Sequence, residues 1–169
     1  MNTLSMAVQT RKEPAAIDIE PLYIQTQSLV ERLHRRLLDV IEDEFDRRRR
    51  SDINATQALL LYNMCTDEMS AGELKTRGCY LGCNVSYNLK KLVDLGFVDH
   101  QRSTTDRRSV RIKLTPAGLE VRDIVDALYR KHASSVERVG GLLVDELEAL
   151  NRSLRRLERF WVDQVMFRL

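Results

Sequence analysis

Glycine and proline are scarce in this 169-residue chain: seven Gly and three Pro stand where average usage would place roughly 12 and about 8. Turn-dense β architectures need both residues at their corners, so the shortage disfavours them and points to a mainly helical fold. No apolar run approaches the ~18 residues that span a bilayer. The longest is Ala58-Leu59-Leu60-Leu61-Tyr62, so no membrane partner is expected. The first residues lack the apolar stretch of an export signal, and three cysteines, Cys65, Cys79 and Cys83, without one fit free thiols in a reducing, cytoplasmic compartment. The three histidines, His34, His100 and His132, are too scattered for a zinc site or for a nucleophile, base and orienter set. Neither an enzyme nor a bound cofactor or metal is therefore expected.

What is present suits one compact domain with an oligomerisation arm: apolar residues make up 43% of the chain and charged residues 31%, enough core to fold and too much charge for a membrane protein. The formal charge is only +2, but it is unevenly spread. Residues 1–69 carry nine Lys/Arg against twelve Asp/Glu, residues 116–169 carry nine against nine, and residues 70–115 carry nine against four. The positive excess is thus confined to the middle of the chain, where it forms a local field that attracts a polyanion.

Residues 1–16 lack apolar periodicity and read as a flexible tail. From Asp18 to Arg48, Leu22, Leu29, Leu33, Leu37, Ile41 and Phe45 recur at helical spacing. The run Arg47-Arg48-Arg49-Arg50 ends that helix with cations where the macrodipole favours them, or else contacts phosphate directly. Asn54-Ala55-Thr56-Gln57 has the form of a capping box ahead of the apolar stretch Ala58 to Cys65 and opens a second, buried helix, and Ser70-Ala71-Gly72-Glu73 repeats the signal for a short helix interrupted at Gly78. Asn84 caps a further helix, Val85 to Leu95, closed by Gly96 at a left-handed position. Two short helices about a turn near residues 78–83 make a helix-turn-helix.

At 100° per residue, Val85, Leu89, Leu92 and Val93 share one side of that helix, while Tyr87, Lys90, Lys91 and Asp94 lie opposite. One face packs; the other is free to meet a partner. Phe97 to Arg102 and Ser109 to Leu114 both read as extended and join in a hairpin with a basic tip, Arg107 and Arg108. Thr115-Pro116 opens another helix, running to about Val139 before Gly140-Gly141 breaks it. Leu143, Leu147, Leu150, Leu154, Leu157, Trp161 and Val165 then recur at intervals of 4, 3, 4, 3, 4 and 4. So long a seam wants a partner helix, and a second copy is favoured over the chain's own core because both terminal helices exceed what the small central unit can cover.

The fold class is therefore mainly α with a small β-wing, a winged helix-turn-helix with N- and C-terminal dimerisation helices. Its divisions are a tail (1–16), an N-terminal dimerisation helix (17–50), a winged helix-turn-helix DNA-binding domain (51–115) and C-terminal dimerisation helices (116–169). Leu22, Leu29, Leu147, Leu150, Leu154, Leu157, Trp161 and Val165 are the candidate dimer contacts. The runs Asn84 to Val98 (NVSYNLKKLVDLGFV) and Asp106 to Gly118 (DRRSVRIKLTPAG) resemble the MarR family of bacterial transcription regulators. That resemblance implies a homodimer on a pseudo-palindromic operator in double-stranded DNA, with a small-molecule effector between the DNA-binding lobe and the dimer arms. The segment Gly78 to Cys83 (GCYLGC) is longer and richer in Gly and Cys than the family pattern and resembles an alphaproteobacterial subgroup.

A recognition helix enters the major groove and presents its donors near its N-terminal end, which makes Asn84, Ser86, Tyr87, Lys90 and Lys91 the candidate base-facing residues. Asn84 acting purely as a cap, and Ser86 bonding its own backbone, are the alternatives. Lys75 and Arg77 would sit over phosphates. Arg102, Arg107 and Arg108 would follow the minor groove, and the family's Asp-x-Arg pattern implies that Asp106 braces the wing through Arg108. Cys79 and Cys83, four residues apart, form a candidate redox pair, with bystander thiols as the alternative. A winged helix serving only as a protein-interaction scaffold is the rival function. Segregation of cations on the lobe with the free helix face argues against it.

Overall fold

The computed structural model describes residues 18–64, 69–70, 83–102 and 110–167, with backbone alone considered for 69–70, 83–86, 101–102 and 110. The described elements are α1 (Ile19–Arg47), α2 (Ala55–Asn63), β1 (Met69–Ser70), α3 (Cys83–Asp94), β2 (Val98–Arg102), β3 (Val110–Leu114), α4 (Pro116–Ala133), α5 (Val136–Gly140) and α6 (Val144–Phe167). The chain divides into two compact units, one ending at Leu37 and one running from Leu38 to Leu169. In the first unit α1 leaves Ile19, Leu22, Ile24, Leu29 and Leu33 exposed. No helix among the described residues is long and apolar enough to cross a membrane.

The core of the second unit gathers Ile41 and Phe45 from α1, Ala58 to Leu61 from α2, Leu92 from α3, Ile112 and Leu114 from β3, and Val121, Val125 and Leu128 from α4. Burying one Leu, Ile or Phe side chain contributes about 1.5–3 kcal/mol, so this cluster fixes α2 on α4 and the sheet beneath α3. The Asn54 capping box forms as its sequence requires. Asn54 Oδ1 accepts the Gln57 N–H at 2.9 Å and Gln57 Oε1 accepts the Asn54 N–H at 3.3 Å, while the Glu42 carboxylate takes the Ala55 N–H at 2.8 Å. Three of the orphan donors at the start of α2 are thus satisfied locally. At its other end α2 stops at Asn63, short of Cys65, because Met64 turns to extended backbone.

β2 and β3 pair antiparallel from Val98 opposite Leu114 to Arg102 opposite Val110. The hairpin gains a third strand that the sequence pattern did not suggest: Met69 pairs with Ile112 and Ser70 with Arg111, giving the order β1-β3-β2. An extended residue is also what a helix N-cap requires, so Ser70 is compatible with the helix expected after it. That helix lies outside the described residues.

Thr115 caps α4, accepting the Gly118 N–H at 3.2 Å with Pro116 at N1. The expected single helix to Val139 is corrected: it is broken at Ser134–Ser135 into α4 and α5. The Ser134 hydroxyl donates to the Lys131 carbonyl at 2.7 Å and the Ser135 hydroxyl to that of His132 at 3.1 Å, offering the backbone carbonyls partners other than the helical ladder. Gly141, at φ 66°, then ends α5 as expected of the glycine pair. α6 buries none of its residues.

Candidate nucleic-acid interface

α3 is held by its end. Gly96 N–H donates to the Val93 carbonyl at 3.0 Å and Phe97 N–H to that of Leu92 at 2.9 Å, a Schellman closure in which Gly96 takes φ 78°. Leu92 and Phe97, the two residues whose contact accompanies such a closure, are both buried. Thr115 Oγ1 donates to the Gly96 carbonyl at 2.7 Å and Thr115 N–H to that of Phe97 at 3.1 Å. The cap that ends α3 is therefore bonded to the cap that begins α4.

With its end fixed, α3 presents the two sides its periodicity called for. Leu92 is fully buried and Leu89 and Val93 are partly so, whereas Tyr87 is 65% exposed and Lys90, Lys91 and Asp94 are exposed. Tyr87, Lys90, Lys91, Asp94 and Leu95 line one shallow groove of about 340 Å³. One expectation is corrected here. α3 begins at Cys83, so Asn84 lies within the first turn and does not precede it as a cap. First-turn N–H groups have no partner inside the helix, so no single residue's identity fixes where the helix starts. Ser86 falls in the same turn.

The charges differ in how they are engaged. Of the arginine run, Arg47 pairs with Asp43, Arg48 with Glu44 at 2.7 Å, and Arg50 with both Asp52 at 2.8 Å and Glu120 at 3.0 Å. The hydrogen bond from Arg48 holds the Glu44 carboxyl below its ordinary value, and that from Arg50 does the same to Asp52, while Asp52 pushes Arg50 upward. Arg49 serves the turn instead: at φ 56° it occupies the left-handed position where the helix end would ordinarily recruit glycine. The run thus closes α1 and binds carboxylates. Lys90 and Lys91, by contrast, enter no ion pair among the described residues.

On the sheet, Ile112 and Leu114 face the core and Arg111 and Lys113 are exposed, the alternation that period two dictates. These two outward cations of β3 were not singled out as contacts by sequence reasoning, although the same alternation could have found them. Arg102 ends β2 opposite Val110. Lys75, Arg77, Cys79, Asp106, Arg107 and Arg108 lie outside the described residues, and Cys83 is placed only as the first residue of α3. Among the described residues, no three His, Cys, Asp or Glu side chains gather as a metal site would need. Of the seam positions of α6, Leu150, Leu154 and Val165 are exposed, and Leu147, Leu157 and Trp161 are partly buried.

Comparison with known proteins agrees with this arrangement. Residues 53–118 match the family model of a winged helix DNA-binding domain. The exopolysaccharide II synthesis transcriptional activator ExpG of Rhizobium meliloti is 35% identical over 142 residues, which is 82% of this chain and 71% of that protein. Among solved structures, a cysteine-to-serine mutant of MarR from E. coli complexed with operator DNA superposes with a TM-score of 0.64 at 22% identity, covering 83% of this chain and 98% of that one. FabT of Streptococcus pneumoniae in complex with DNA gives 0.65 at 18% identity with the same coverage. At such identities the two structures speak for the fold.

Proposed function

Since this chain belongs to the MarR family of winged helix-turn-helix transcriptional regulators, we propose that it acts as a homodimer that places α3 in the major groove of a pseudo-palindromic operator and the wing in the adjacent minor groove. The observation that carries the reading is that Lys90 and Lys91, beside Tyr87, are exposed and enter no ion pair among the described residues, on a helix whose opposite side buries Leu92. Lysine suits the acceptor edge of guanine and the tyrosine ring the thymine methyl. Asn84 and Ser86, one turn earlier, would reach base edges near the N-terminal end. Lys75 and Arg77 would hold phosphates, and Arg102, Arg107 and Arg108, with Asp106 bracing them, would follow the minor groove. The outward Arg111 and Lys113 add to the same field.

Dimerisation falls to residues 17–50 and 116–169, flanking the DNA-binding segment 51–115. The exposed apolar stripe of α1, with Leu22 and Leu29, and the seam of α6 from Leu147 to Val165 support this, because a helix of 24 residues that buries none of them has surface to cover. A dimer presents two copies of α3 at a fixed spacing, and an effector regulates by binding one spacing better than another. The protein works in the cytoplasm and the reading assigns it no catalytic step.

The test is fluorescence-anisotropy binding to the DNA upstream of the chain's own gene, with and without excess random duplex, at about 50 and 200 mM salt. A complex with 6–10 phosphate contacts loses ~10³–10⁵ in affinity across that range. Lys90→Ala erodes discrimination between sequences, whereas Arg107→Ala weakens operator and random DNA together. Absence of binding in either salt, with and without reductant, refutes the assignment and favours an interaction scaffold.

A further inference from the structure

Asp94 is a carboxylate in the wrong place for stability. It is the last residue of α3, at the end where the helix macrodipole is negative and a cation is favoured. Lys90 stands four residues before it and Lys91 three, the separations at which helical neighbours meet. Even so, Asp94 has no ion-pair or hydrogen-bond partner among the described residues. It is exposed and lines the groove with Tyr87, Lys90, Lys91 and Leu95. Seven residues separate Tyr87 from Asp94, so the two share a line along the helix, about 10.5 Å apart in rise. Asp94 falls between the two lysines around the helix axis.

Resting on the DNA-binding reading above, we propose that Asp94 is a specificity-determining residue that suppresses sequence-independent binding. A helix seated with its N-terminal turns toward the bases carries its last turn to the edge of the site, where a side chain lies within reach of both the flanking phosphates and the outermost base pair. Random DNA is held almost wholly by phosphate attraction. A carboxylate there, with no partner among the described residues, subtracts from that attraction on every sequence. In a matched complex the same carboxylate accepts a hydrogen bond from a cytosine amino group, which offsets the repulsion, so its net effect is to widen the gap between matched and random sites.

The experiment compares the full-length wild type with Asp94→Asn and Asp94→Ala. Glu158→Gln makes the same charge change at an exposed position of α6 and serves as the control. The probes are a random-sequence duplex and duplexes enriched from a random pool by the wild type. Loss of one repelling charge steepens the salt slope on random duplex by about 0.9, a roughly 3.5-fold larger loss of affinity over a fourfold rise in salt. Affinity for random duplex at low salt rises about threefold or more, and the matched-to-random ratio falls by at least as much. Random-duplex affinity and slope equal to those of Glu158→Gln overturn the proposal while leaving DNA binding intact. A wild type that binds neither probe removes the premise and the proposal together.

Discussion

Replacing Gly118 by alanine tests the junction between α3 and α4 most directly. Gly118 is the third residue of α4, a position where alanine ordinarily improves a helix by up to about 1 kcal/mol. Here a Cβ would stand 2.1 Å from the Phe97 carbonyl oxygen, against 3.4–4 Å for ordinary contact, so backbone must move by more than an ångström. The atom it would displace accepts the Thr115 N–H, and Thr115 in turn caps α4. Overpacking of this kind costs about 1–3 kcal/mol and a lost N-cap about 1 more. Net of the alanine preference, the variant should be destabilised by about 1–3 kcal/mol. For a chain of this size that lowers Tm by roughly 2–12 °C. Thermal unfolding followed by circular dichroism, at equal protein concentration because a dimer's midpoint depends on it, measures the change. A variant as stable as the wild type, or more so, refutes the account of the junction.

Leu154→Asp places a charge in the middle of the α6 seam and should convert the dimer to a monomer in analytical ultracentrifugation; a variant that stays dimeric shows that the seam is not the interface. The Glu44 and Asp52 carboxyls are held below their ordinary values of 4.5 and 3.8 by Arg48 and Arg50. The stability they contribute is therefore present at neutral pH and is lost as pH falls below about 4.5 through the folded values. One partner of each pair, Arg48 or Asp52, is about half exposed, so solvent screens the interaction and the loss is small, within about 1 kcal/mol each. Urea titrations of wild type and Arg48→Ala should converge as pH falls through that window, and a difference that persists in acid contradicts the pairing.

Features set by a few neighbouring residues were legible in the sequence. The Asn54–Gln57 box, the left-handed Gly96 and the Thr115-Pro116 start each depend on local backbone geometry, and all three stand as read. The two sides of α3 followed from period alone, since Leu92 had to be buried and Tyr87 with the lysines did not. The two-residue strand Met69–Ser70 was not legible, because no periodicity exists over two residues and its existence depends on β3 offering a free edge. Nor was the interruption at Ser134–Ser135, where side-chain hydroxyls compete with a helix that the apolar spacing alone would continue. The start of α3 at Cys83 shows the same limit at smaller scale: an acceptable cap residue does not oblige the helix to use it. At the candidate site, residue types were readable, but the state of engagement was not. Sequence could not distinguish the arginines spent on Asp43, Glu44, Asp52 and Glu120 from Lys90 and Lys91, which enter no ion pair among the described residues.

The bonded caps between α3 and α4 have a mechanical meaning. Gly96 and Phe97 give their carbonyls to Thr115, and Gly118 lets α4 approach without a side chain between them. A joint with that little clearance has no backlash. Should α4 tilt, the end of α3 would be carried with it, because two hydrogen bonds and the bare contact at Gly118 leave neither helix end room to move alone.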